Sequence, residues 1–231
     1  ALRTIATPLA RNTGTGGMNP APGAFLGGDR RTVVVFDAGQ DRAFLKAEVP
    51  KVDYLGVATA PDGRTWAVGR QGTIVYSDGG PLWTPQATGV KTDLHAVSVS
   101  SSGAVFAVGN DGTVLKSADG VTWGSATTPL ASTHLLGADF SYPGKGYTVG
   151  TDGIVATTAN GGVSWNVQAP MSGGLALFAV STVPGTNGQV AWAVGANQTL
   201  MRTTNGGLSW ETGLPKPDPA STFTLRAVQF L

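Results

Sequence analysis

Apolar residues in this chain come in short runs broken by polar turns, and the runs return in a fixed order. The first run opens on a bulky residue: Tyr54-Leu55-Gly56-Val57, Leu94-His95-Ala96-Val97, Leu135-Leu136-Gly137-Ala138, Leu177-Phe178-Ala179-Val180 and Leu225-Arg226-Ala227-Val228. The starts are 40, 41, 42 and 48 residues apart. A second run ends in glycine: Trp66-Ala67-Val68-Gly69, Phe106-Ala107-Val108-Gly109, Tyr147-Thr148-Val149-Gly150 and Trp192-Ala193-Val194-Gly195. A tight turn leads to a third run: Thr73-Ile74-Val75, Thr113-Val114-Leu115, Ile154-Val155-Ala156 and Thr199-Leu200-Met201. Short β-branched and aromatic runs bounded by Gly, Asn and Asp predict strands, and a constant period predicts a repeat architecture.

Each unit continues into a Gly-rich hairpin closed by a tryptophan. The fullest copies are Thr203-Thr204-Asn205-Gly206-Gly207-Leu208-Ser209-Trp210 and Thr158-Ala159-Asn160-Gly161-Gly162-Val163-Ser164-Trp165. Ser117-Ala118-Asp119-Gly120-Val121-Thr122-Trp123 is one residue shorter, and Tyr76-Ser77-Asp78-Gly79-Gly80-Pro81-Leu82-Trp83 keeps the acid, glycines and Trp. An Asn or Asp side chain accepts backbone N–H groups ahead of it, Gly supplies positive φ, and the indole covers the turn. Asp78, Asp119, Asn160 and Asn205 are therefore expected to hold turns, with Trp83, Trp123, Trp165 and Trp210 as their lids.

With a fourth strand starting at the Trp, each unit is a four-stranded sheet. Such a sheet cannot bury both faces alone; stacking units radially does, as in a β-propeller. The expected fold is all-β, with four contiguous blades over 54–89, 94–130, 135–170 and 177–214. A fifth, composite blade combines 24–50 with 225–231. Residues 24–50 align with second to fourth strands that lack a first, and Leu225–Phe230 is a first strand with nothing after it. The ring is then closed by the C-terminal strand, giving one domain over 24–231. Residues 1–23, with Pro8, Pro20 and Pro22, are expected to form an extended arm. A piece of a larger propeller is the alternative.

Composition narrows the chemistry. Glycine supplies 34 of 231 residues and charged residues 13%, which suits short strands and tight turns. A net charge of +1 gives no pull toward nucleic acid or an anionic membrane. The absence of cysteine excludes disulfides, a thiol nucleophile and thiolate metal sites. No apolar run approaches the roughly 20 residues of a spanning helix, so no direct membrane insertion is expected. The start at Ala1 raises the expectation of a removed signal and of a secreted, periplasmic or lumenal protein; a fragment of a longer chain fits the same start.

The hairpins resemble the Asp-box of BNR-type repeats. Together, L-x-A-V, aromatic-A-V-G-x-x-G-T and T-x-N-G-G-x-S-W over residues 54–213 resemble the photosystem II assembly/stability factor family, the Ycf48-like propellers. The resemblance implies a secreted or lumenal scaffold without enzymatic activity; its members usually have seven blades, against five counted here. A photosystem partner does not carry over with it, because family members also occur in bacteria that have no photosystem.

No catalytic, cofactor or metal residue is assigned. His95 and His134 are the only histidines and do not pair at a metal-ligand spacing. Glycoside hydrolysis, which Asp-box sialidases perform, needs two carboxyls about 5–9 Å apart. Asp139 is the sole acid on an expected innermost strand, where its counterparts are Ala58, Ser98, Ser181 and Gln229, and the two glutamates, Glu48 and Glu211, fall on outermost strands. A glycan-binding propeller is the alternative to a protein-binding one. Four of the six Trp close hairpins and two lie on second strands, which leaves none for stacking on sugars. A small-molecule ligand is not expected either.

One feature stands outside the repeat. The turns between second and third strands carry Arg30, Arg31 and Arg70 on one side and Asp111 and Asp152 on the other. A solvated mixed surface is one reading. The sharper one is a docking face for a charged segment of a partner protein, since Arg forks suit carboxylates. The expected function is a non-enzymatic protein-binding scaffold: an assembly/stability factor or accessory subunit of a membrane-associated complex.

Overall fold

The computed structural model describes the strands over 2–6, 25–28, 32–37 and 42–45, and residues 50, 52–79, 82–168, 172–213 and 222–230. The chain forms two compact units, Ala1–Val97 and Ser98–Leu231.

The first unit holds two antiparallel sheets of four strands in sequence order. One comprises β1 (Leu2–Ala6), β2 (Phe25–Gly28), β3 (Thr32–Asp37) and β4 (Arg42–Leu45). The other comprises β5 (Tyr54–Thr59), β6 (Thr65–Gly69), β7 (Ile74–Ser77) and β8 (Thr84–Gln86). The next sheet begins on β9 (Leu94–Val99), in which the division between units falls, and continues with β10 (Val105–Gly109), β11 (Val114–Ser117) and β12 (Gly124–Ser125). The second unit adds β13 (Leu135–Asp139), β14 (Gly146–Gly150), β15 (Val155–Thr158) and β16 (Asn166–Gln168), then β17 (Leu177–Thr182), β18 (Ala191–Gly195) and β19 (Leu200–Thr203).

The second strands explain their own composition. β6, β10 and β14 are buried at every residue, so they read as continuous apolar runs and not as alternation. Each ends in a glycine for a steric reason. A Cβ on Gly69, Gly150 or Gly195 would run into the carbonyl oxygen of Asp53, His134 or Ala176, just ahead of the first strand. The first strands share a bulge as well: Tyr54 faces Gly69 but Gly56 faces Val68, and the same slip follows Leu135 and Leu177. In the second unit Tyr147, Val149, Leu177, Val180, Met201 and Trp210 belong to one apolar cluster. Tyr54, Ala67, Val75 and Trp83 form a smaller one in the first unit.

Three expectations change here. Residues 1–23 were read as an arm, but Leu2–Ala6 is a strand paired to β2, with Leu2 facing Gly28 and the first-strand bulge before Thr4. The C-terminal strand expected to close the composite blade is not one: residues 222–230 have no strand assignment, and β1 fills that place. The physical reason is pattern duplication. Leu2-Arg3-Thr4-Ile5-Ala6 shares the leading Leu-Arg and a β-branched fourth residue with Leu225-Arg226-Ala227-Val228-Gln229, and the segment nearer in sequence to β2 takes the edge. Lastly, the final sheet has three strands, its fourth reduced to a bridge between Arg202 and Glu211.

Candidate functional site

The turns between second and third strands owe their acids to backbone geometry. Gln71, Asp111, Asp152 and Asn197 hold one position in four turns, with φ of 58°, 55°, 58° and 51°. This left-handed conformation favours Asn and Asp among residues with a side chain, so Asp111 and Asp152 have a local reason to be there. Both carboxylates are exposed. The following residue is Gly72, Gly112 or Gly153 in three turns, also at positive φ, and Gln198 in the fourth. Gln198 is buried, and its N–H donates to Phe223 O at 2.9 Å.

Arg70 is not a free cation. Its Nε lies 3.0 Å from Asp53 and its Nη1 3.0 Å from Asp93, while Gln71 N–H donates to the other Asp93 oxygen at 3.0 Å. The guanidinium thus ties its turn to the starts of two first strands. Arg30 and Arg31, expected to share its face, lie outside the described residues.

The hairpins use their polar residues as internal ties. Asn160 Oδ1 accepts Ser164 N–H at 2.9 Å and the Thr158 hydroxyl at 3.0 Å, and Thr158 Oγ1 accepts Gly162 N–H at 2.9 Å. Asn205, Ser209, Thr203 and Gly207 repeat the arrangement at 3.0 Å in each case. Asp119 accepts Thr122 N–H at 2.7 Å, Val121 N–H at 2.8 Å and the Ser117 hydroxyl at 2.9 Å. These donors, the two backbone groups foremost, hold its pKa well below the ordinary carboxylate value. Asp78 sits at the matching place in the second sheet, and Trp83 and Trp210 are buried lids. Trp165 stands edge-on to Phe140, which stacks on Phe106 at 4.0 Å. Trp123 is half-buried.

Asp139 is the buried acid, and it joins two sheets. Its Oδ1 accepts Ser141 N–H at 2.8 Å and the Ser141 hydroxyl at 2.5 Å. Its Oδ2 accepts Thr182 N–H at 2.7 Å and the Thr182 hydroxyl at 3.0 Å. Neighbouring Tyr147 is pushed up to about 12, by burial first and by the Asp139 charge second. Both carboxylate oxygens are thus committed, one to the turn after β13 and one to β17.

Two features were not read from the sequence. Arg226 lies over the Phe178 ring, 5.0 Å from its centroid, both at the residue after a leading Leu. Each hairpin also presents one apolar side chain outward: Leu82, Val121, Val163 and Leu208 are between 56% and 77% exposed. Their signal was the unassigned position before the hydroxyl or Trp. Among the described residues, no three of His, Asp and Glu gather as a metal site, and no helix is long and apolar enough to cross a membrane.

Antiparallel sheets of three or four strands in sequence order, the last four of them carrying Trp-closed hairpins, define a β-propeller domain. The family model described as the DUF6242 beta propeller domain matches residues 62–182, more than half of the chain, and the chain belongs to that family. No curated protein sequence is matched. Among solved structures, YCF48 bound to D1 peptide superposes with a TM-score of 0.63 at 15% identity, covering 89% of this chain and 67% of that one. An ancestral GH74 enzyme gives 0.70 at 16% identity, over 93% of this chain but only 32% of the enzyme. Virginiamycin B lyase from Staphylococcus aureus gives 0.69 at 11% identity, over 84% and 67%. At these identities the likeness shows the fold.

Proposed function

We propose that this chain is a non-enzymatic, protein-binding propeller: an assembly factor or accessory subunit serving a membrane-associated complex, with its five sheets as the blades of one ring. The observation that carries the reading is Asp139. The sole acid on a described innermost strand has four donors on its two oxygens, so it lacks a free lone pair aimed at a substrate. Among the described acids, Asp111, Asp119 and Asp152 serve turns, and Asp53 and Asp93 hold Arg70. The D1 peptide bound to YCF48 supports protein as the ligand class. A secreted, periplasmic or lumenal location goes with the Ycf48-like resemblance.

The proposed docking face is the set of turns between second and third strands, with Asp111 and Asp152 as its exposed acids and Arg30, Arg31 and Arg70 as its basic side. Arg70 contributes with its charge partly satisfied by Asp53 and Asp93. The test is an affinity pull-down from native membranes and soluble extract. Asp111→Asn with Asp152→Asn removes both charges with a residue that tolerates positive φ, so the variant is expected to keep the parent melting temperature and to lose the partner, since exposed turn charges contribute only about 0–1 kcal/mol to folding. Retention of the partner by that variant would remove Asp111 and Asp152 from the interface. Binding to a glycan array, with no protein captured, would replace the scaffold by a lectin.

A further inference from the structure

Residues 222–230 are seated as an innermost strand without belonging to a sheet. Phe223 O accepts Gln198 N–H at 2.9 Å, just as Thr133 O accepts Gly112 N–H at 2.7 Å two residues ahead of Leu135. Leu225 N–H donates to Gly195 O at 3.0 Å. The chain thus leaves the last sheet as it leaves the third, entering the place where the next first strand begins. Beyond that point the two diverge. Leu135 and Leu177 are fully buried beneath an antiparallel partner, whereas Leu225 is half-buried and Arg226, Ala227 and Gln229 are exposed. Residues 225–230 pair with no strand among the described residues.

We propose that residues 225–230 are a strand-addition site that takes an extended, apolar peptide segment of the partner protein. This inference rests on the protein-binding reading and adds the mode of capture. Main-chain hydrogen bonds supply the binding, as in other cases of β-augmentation, and the repeat specifies the peptide. Leu135 and Leu177 face Gly150 and Gly195, and Asp139 and Ser181 face the aromatic Tyr147 and Trp192. Gly is demanded opposite the leading Leu because a Cβ there would strike the carbonyl just before the strand, His134 or Ala176. In this segment that carbonyl belongs to Thr224. The peptide therefore runs antiparallel, with an aromatic residue facing Gln229 and a glycine facing Leu225. Among the described residues, own segments are poor occupants, because every second strand, β2 included, already has its first strand. A second copy is disfavoured for the same reason.

The probe is a synthetic peptide with the sequence of residues 190–196, added to the full chain and followed by hydrogen exchange. Amides within 226–230 are expected to slow by at least about tenfold at saturation. Replacing the peptide's Gly195 equivalent by Ala should weaken binding by at least about tenfold. Ala227→Pro in the protein, at an exposed position outside any sheet, should abolish peptide binding and leave the melt unchanged. Unslowed amides, or equal affinity for the Ala peptide, would overturn the proposal. Amides already protected without peptide would overturn it too: independent of protein concentration they indicate a segment of the same chain, and dependent on it a second copy. A protein that captures its partner yet shows no peptide protection keeps the scaffold reading and loses this one.

Discussion

Two junctions in the second unit solve one problem with different chemistry. Where the sheet of β9–β12 meets that of β13–β16, Phe140 N–H donates to the Ser98 hydroxyl at 2.9 Å. One repeat on, Thr182 N–H occupies the same place and donates to Asp139 at 2.7 Å. The backbone need is identical, an inner-strand N–H facing the preceding sheet, and a neutral hydroxyl meets it as well as a carboxylate does. The acid is there because its junction has more to satisfy: the Thr182 hydroxyl on one oxygen, and the amide and hydroxyl of Ser141 on the other. A lone carboxylate on an innermost strand of a propeller is thus a clamp in one sheet and dispensable in its neighbour. It is weak ground for inferring hydrolysis.

The largest test of this contrast is Asp139→Ala. It orphans two backbone N–H groups, each worth about 1–3 kcal/mol when left buried, so a loss of roughly 2–6 kcal/mol is expected in denaturant unfolding. A loss below about 0.5 kcal/mol would mean that the clamp is decorative. Asp139→Ser converts the junction to the Ser98 kind. It can restore an acceptor for one N–H, and the expected cost falls to about 1–3 kcal/mol. Ser98→Ala removes a single acceptor and should cost about 1–2 kcal/mol, less than Asp139→Ala. Equal losses from Ser98→Ala and Asp139→Ala would dissolve the distinction.

The smallest effect lies away from the junctions, in a hairpin where acid and amide also alternate. Asp119 does with a carboxylate what Asn160 and Asn205 do with an amide. Its pKa is lower folded than unfolded, so its stabilisation is complete at neutral pH and is lost as pH falls below the ordinary value of about 4. Asp119→Asn should leave the melting temperature at pH 7 nearly unchanged. It should also flatten the decline of melting temperature on acidification. An unaltered acid limb would place that dependence on other carboxylates.

The strands, their order and the hairpin ties were legible because they are local. Short apolar runs bounded by Gly, Asn and Asp, and the side-chain-to-backbone ties of the hairpins, all act within one unit. The turn acids were legible as residues but not as roles: Asp111 and Asp152 look like half of a charged face until their positive φ supplies a backbone reason. Arg70 looked free because its partners, Asp53 and Asp93, lie 17 and 23 residues away. Asp139 was visible as a lone acid, but its saturation depends on Thr182, 43 residues on.

Repeat, hairpins and turn chemistry were therefore determined by the sequence alone, since short-range sterics and hydrogen bonding leave few options. The tertiary structure decided which of two matching segments, Leu2–Ala6 or residues 225–229, completes the first sheet. Equal patterns have nearly equal local energies, so only the packing of the assembled chain could choose between them.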